Sequence, residues 1–154
     1  YHTQLDELVD LANTFPDTSI IMDHIAGPIG IGPYEGKQDQ AFQEWKSGIS
    51  SLATCDNVYM KLGGFGMPLD GHAWHQRETP TSSSELAEVM VPYYEHCIEQ
   101  FGVDRCMFES NFPVDKASTS YTILWNTFKR VAQNYSPDEK AALFRNTARS
   151  AYRI

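Results

Sequence analysis

The sequence predicts an α/β protein built on a parallel sheet. Three observations predict it: apolar runs too short for helices alternate with amphipathic helical stretches, each run ends in polar side chains, and each is followed by a Gly- or Pro-rich connection. Alternation of this kind joins parallel strands through right-handed helical crossovers. In open parallel sheets and closed barrels alike, ligands sit at the strand carboxyl ends. That is where the polar tips would gather.

The elements follow in order. Leu5, Leu8, Leu11, Ala12 and Phe15 recur at helical intervals opposite Asp6, Glu7 and Asp10, and Phe15-Pro16-Asp17 closes that surface helix. Ser19 to Pro28 is an apolar run with His24 near its carboxyl end, read as a strand covered on both faces. The stretch from Pro28 to Gly36 is a loop. Asp39 is the expected cap of a second helix with Phe42, Trp45, Ile49 and Leu52 on its inner side. Val58 to Phe65 is the second strand, and Lys61 shares a face with Tyr59, pointing either into or away from the interior. A long connection from Gly66 to Ser84 carries His72, Trp74, His75 and Arg77, and connections of this length are usually functional or mobile.

Ser82 with Glu85 forms a capping box for the helix Glu85 to Phe101, which Pro92 should kink or divide. The third strand opens at Arg105 and runs toward Pro113, with Met107, Glu109 and Asn111 on one face. Tyr121 to Ala132 is helical, and Ser136-Pro137-Asp138-Glu139 starts a last helix.

Composition narrows the partners. A chain of 154 residues, 42% hydrophobic, can bury a core as one domain. Its formal charge of -8, without long blocks of either sign, disfavours nucleic acid and anionic membranes as partners. No apolar run approaches the roughly 20 residues of a membrane span. Cys55, Cys97 and Cys106 are odd in number and set among apolar neighbours, which reads as reduced thiols of a cytoplasmic protein. The chain begins at Tyr1, already close to an amphipathic helix, and reads as entered midway.

Five blocks in order carry a family resemblance: Phe15-Pro16-Asp17; Asp23 to Pro28; Asn57 to Gly64; Phe108 to Val114; and Asn146 to Ile154. Together they resemble the amidohydrolase-related metal-dependent hydrolases, in the branch of sugar-lactone and pyrone-dicarboxylate lactonases. The resemblance implies a (β/α)8 TIM barrel of which this chain is the carboxyl-terminal part, strands six to eight with their helices. Such barrels commonly need about 250 residues. It further implies a divalent metal, zinc or similar, held where metal is used by a first-strand His-x-His that is not in this sequence. His24 matches the sixth-strand histidine, a metal ligand, a proton donor to the leaving group or an electrophile polarising the carbonyl.

The family's eighth-strand Gly-Ser-Asp-Trp-Pro stands here as Glu109-Ser110-Asn111-Phe112-Pro113, so an amide replaces the catalytic carboxylate. Glu109 is the expected substitute, with Asn111 orienting water or a carbonyl; the alternative is a structural ion pair at Glu109. Lys61 would bind an anionic group or an oxyanion, and Tyr34, His72, Trp74, His75 and Arg77 would contact substrate from the rim. His72 and His75 lack a third ligand for zinc.

The expected activity is hydrolysis of a lactone, ester or related bond in a small polar or acidic substrate, metal-assisted or driven by His and cationic side chains alone. Decarboxylation on the same barrel and an inactive scaffold are the alternatives. The expected partners are the substrate, the missing amino-terminal half of the barrel and a second copy of the chain. A half barrel alone is expected to be inactive and to associate through its open edges.

Overall fold

The computed structural model describes residues 1–154. Helix α1 (Leu5–Thr14) leads to strand β1 (Ile20–Met22), then α2 (Gln38–Leu52), β2 (Val58–Leu62), α3 (Ser83–Phe101), β3 (Cys106–Phe108), α4 (Tyr121–Val131), α5 (Pro137–Ala141) and α6 (Thr147–Tyr152). The strands are parallel and ordered β1-β2-β3, with Met22 beside Met60 and Leu62 beside Phe108. β1 and β3 each keep one edge without a partner strand.

Helices α2 and α3 cover one face of the sheet. On β2, Val58, Met60 and Leu62 point into that layer and are fully buried, joining Trp45, Ile49, Leu52, Leu86, Met90, Tyr94 and Cys97. Tyr59 and Lys61 take the other face and are only half-buried. The open choice for Lys61 is thereby decided: it lies on the sheet face away from α2 and α3, the face that would line a barrel. All three cysteines are buried and unpaired.

Every strand is shorter than its apolar run. β1 stops at Met22 because His24, Ile25, Ala26 and Gly27 all have positive φ (58°, 46°, 62° and 47°), which folds the chain back on itself. β3 stops at Phe108 although Glu109 adds one further ladder bond to the Leu62 carbonyl at 3.1 Å. Asn111 then adopts φ 49°, so the alternation that would align it with Glu109 breaks before it arrives.

Three helix expectations also change. α2 begins at Gln38 after Lys37, with Asp39 in its first turn rather than at the cap. α3 runs through the exposed Pro92 as one undivided helix. The last helix is interrupted by a π-type turn at Ala142–Asn146 between α5 and α6. The capping boxes at Ser82 and Ser136 form as read.

Candidate active site

The carboxyl ends of the three strands bring His24, Lys61 and Glu109 together. Two glycines at the end of β2 make room for this. A Cβ on Gly63 would overlap the Glu109 side chain, and one on Gly64 (φ 70°) would come within 2.5 Å of the His24 Cβ. With both side chains absent, residues from the flanking strands meet across β2.

Glu109 Oε1 accepts from the backbone N–H of His24 at 3.0 Å and also meets His24 Nδ1. Its Oε2 lies 3.3 Å from Lys61 Nζ, which in turn sits 2.9 Å from Asp23 Oδ1. Asp23 therefore binds the site's cation, where the strand pattern directs it to the opposite face; the early end of β1 removes that pattern. The Glu109 side chain is 13% exposed and that of His24 is 30% exposed, so the pair is sheltered but reachable.

The electrostatics favour charged partners. The hydrogen bond to Glu109 raises the pKa of His24 above its ordinary 6.5, against the pull of partial burial, and the charges of Glu109, Asp23 and Asp115 add to the rise. Partial burial works against the Lys61 ammonium, but Asp23 and Glu109 outweigh it and its pKa also rises. With Nδ1 engaged by Glu109, the imidazole is fixed in orientation and its Nε2 has no partner in the chain. A carboxylate holding a histidine in this way both orients the ring and stabilises its charged form.

The turn that carries His24 is strained. Ile25 is β-branched with φ 46°, a conformation such residues rarely adopt. It is fully buried, and its carbonyl accepts from the Trp45 indole N–H at 2.6 Å. Trp45 of α2 thus clamps the turn from behind.

Asn111 does not stand beside Glu109 as an extended strand would place it. Its amide nitrogen donates to Asp115 Oδ1 at 2.8 Å, while Gly66 N–H donates to Asp115 Oδ2 at 3.4 Å. Asp115 is fully buried, and burial pushes its pKa up to about 6, opposed by these two donors and by His24. This carboxylate ties the loop after β3 to the loop after β2. Its sequence signal is faint: an acid in an otherwise apolar turn, four residues after Asn111.

The remaining sequence candidates spread around the rim. His72 stacks on Trp74 (ring centroids 4.5 Å apart) and leans on Phe65, and burial lowers its pKa. Beneath it lies Asp70, 5% exposed with both carboxylate oxygens unpartnered, its pKa pushed up to about 8 by burial and by Asp115. His75 is exposed, and Arg77 pairs with Glu85 at 3.3 Å. Tyr34 lies apart from this group: its hydroxyl donates to Glu44 at 2.7 Å and its ring meets His2.

These residues do not fit a metal centre by themselves. No three His, Cys, Asp or Glu side chains are grouped to hold an ion. Both oxygens of Glu109 are engaged, and the Lys61 ammonium occupies the place beside the carboxylate that a cation would take. His24 Nε2 is the one donor that the His24–Lys61–Glu109 group leaves unengaged.

Comparison with known proteins shows the family. The amidohydrolase family model matches residues 1–154. The chain belongs to the amidohydrolase family. It is 38% identical over 154 residues to the protein y4mH of Sinorhizobium fredii and 25% identical over 136 residues to L-fucono-1,5-lactonase of Burkholderia multivorans. L-rhamnono-gamma-lactonase of Scheffersomyces stipitis is 24% identical over 113 residues. The chain covers 45%, 43% and 32% of these proteins, and 100%, 88% and 72% of its own length is matched. It thus spans less than half the length of the curated relatives it matches.

Among solved structures, an amidohydrolase of Burkholderia multivorans with bound HEPES superposes with TM-score 0.84 at 22% identity, covering all of this chain and 51% of that one. A second crystal form of that enzyme, with bound zinc, gives 0.83. The fold is therefore the α/β fold of amidohydrolase TIM-barrel structures, of which this chain makes about half. The family and its lactonase members make it a hydrolase homologue.

Proposed function

We propose that this chain supplies strands six to eight of a (β/α)8 barrel and that its His24–Glu109–Lys61 group opens a lactone or ester of a small polar or acidic substrate. The convergence of these three side chains at one sheet end carries the reading. In the reaction, water attacks the ester carbonyl while His24 Nε2 takes its proton. Glu109 holds the imidazole and stabilises its charge. Lys61 faces the negative charge that develops on the carbonyl oxygen. The alkoxide released by carbon–oxygen cleavage then takes the proton back from His24.

Asn111, anchored on Asp115, orients substrate through the carbonyl end of its amide. A metal, where one is used, would draw its ligands chiefly from the missing half of the barrel, because Lys61 already balances the Glu109 carboxylate. His72, Trp74, His75 and Arg77 belong to the rim over this site, whereas Tyr34 is engaged apart from it by Glu44 and His2.

The rest of the barrel would pair with the free edges of the sheet. An apolar groove of about 410 Å³ beside β1, between Leu8, Leu11, Ile20 and Met22, supports an amino-terminal half as its occupant, with a second copy of the chain as the competing one. No helix is long and apolar enough to cross a membrane, and the three buried free thiols support a cytoplasmic setting.

The test is hydrolysis of L-fucono-1,5-lactone and L-rhamnono-1,4-lactone by the barrel completed with its amino-terminal half. Ring opening lost on His24→Gln supports the proposal. Release of carbon dioxide from a carboxylated substrate would move the assignment to decarboxylation, and no turnover with retained binding would move it to a scaffold.

A further inference from the structure

The cleft between the β2–α3 and β3–α4 connections has a charge opposite to that of the chain. The chain carries a formal -8, yet no Asp or Glu lines this cleft of about 610 Å³, and two cations, Arg77 and Lys116, do. Arg77 shares its charge with Glu85 just outside and donates to Thr81 at 3.2 Å. Lys116 is exposed and forms no ion pair, so its charge is unspent.

Two further features border the same space. Thr119 lines the cleft, is 6% exposed, and its hydroxyl has no partner although it is buried. An unsatisfied buried hydroxyl costs stability unless something arrives to bond it. The 11-residue helix α4 also begins here: the Ser120 cap takes only the Ile123 N–H, leaving the Tyr121 and Thr122 N–H groups at the positive end of the helix. Phe112 and Tyr121 meet edge to face at 5.2 Å, and Trp74 lines the cleft as well.

We propose that this cleft binds an organic anion, a carboxylate or phosphate group between Lys116, Arg77 and the Thr119 hydroxyl, carried on a ring that lies against the aromatic walls. Phe112, in the cleft wall, follows Asn111 in the chain; that the occupant is the substrate's distal end rests on the hydrolase reading, whereas anion binding does not.

Titration of the full chain with phenyl phosphate, benzoate and the neutral benzyl alcohol, followed by the NMR signals of the Thr119 amide and the tryptophan indoles, tests this. One or both anions should saturate and the alcohol should not, the better anion telling phosphate from carboxylate. Lys116→Gln and Arg77→Gln should each weaken binding by about tenfold, as expected for losing one charge-assisted contact. Added salt should weaken it further. No saturable binding, equal binding of the alcohol, or affinity unchanged in Lys116→Gln would overturn the proposal. Inorganic phosphate binding as tightly as phenyl phosphate would remove the aromatic walls from recognition and overturn it too. The titration reads no hydrolysis, so a failed lactone assay leaves it standing, and failed binding leaves the hydrolase reading standing.

Discussion

In the proposed reaction Glu109 acts through His24, and that distinction has measurable consequences. A carboxylate that took protons itself would need a free oxygen, and both of its oxygens are engaged by His24 and Lys61. Glu109→Gln keeps the shape but removes the charge that raises the His24 pKa. Turnover of the completed enzyme should fall by about 10²–10³. The acidic limb of its pH–rate profile should move down toward 6.5, the ordinary histidine value. A limb that stays in place would take Glu109 out of contact with the titrating group.

Asp70 gives a second residue-scale prediction. Its pKa is raised from 3.8 to about 8, so the folded state holds its proton more tightly than the unfolded chain does. Stability from this group is therefore full below about pH 4, falls as pH rises toward about 8, and is flat above. Denaturant unfolding of Asp70→Asn should lack that decline, becoming more stable than the wild type by a few kcal/mol at pH 8. Asp70 was not legible from sequence, and Asp115 only as an acid in an otherwise apolar turn, because an acid in a loop ordinarily faces water. Only the folded loops show that these two are buried.

Elements place the site through their ends. His24, Lys61 and Glu109 could be picked out because each stands near the end of an apolar run. The contact between them needed the Gly63–Gly64 gap, which the alternation pattern does not reveal. Gly63→Ala should push Glu109 aside and cost activity comparably to Glu109→Gln, while α2, α3 and the sheet keep their circular dichroism signal. Trp45→Phe keeps most of the buried volume and removes the hydrogen bond to Ile25 that restrains the strained turn. It should destabilise the fold by about 1–3 kcal/mol in denaturant unfolding, and it should raise hydrogen exchange at the amides of Ala26 and Gly27. Strand lengths were overread for one physical reason: buried apolar side chains continue into turns whose backbone has left the sheet, as at Ile25 and Ala26.

At the scale of the molecule, the order of helices and strands and the parallel sheet were readable from periodicity, because local burial on α2 and α3 sets both. What the periodicity does not contain is closure. β1 and β3 each present an unpaired edge, and Leu11 and Phe15 are about half exposed beside the first. Open apolar edges of this kind associate. Sedimentation of the isolated chain should show concentration-dependent oligomers. Ile21→Lys, on the β1 edge, should shift them toward monomer without changing the helical signal.

The central claim is that His24 and Glu109 form one proton-transferring unit at the rim of an amidohydrolase barrel. It is tested most directly by the rate of L-fucono-1,5-lactone opening in the completed barrel, comparing the wild type with His24→Gln, Glu109→Gln and the double variant. A shared unit predicts that the double variant is no slower than His24→Gln alone. Losses that multiply in the double variant, or full activity without His24, would contradict it.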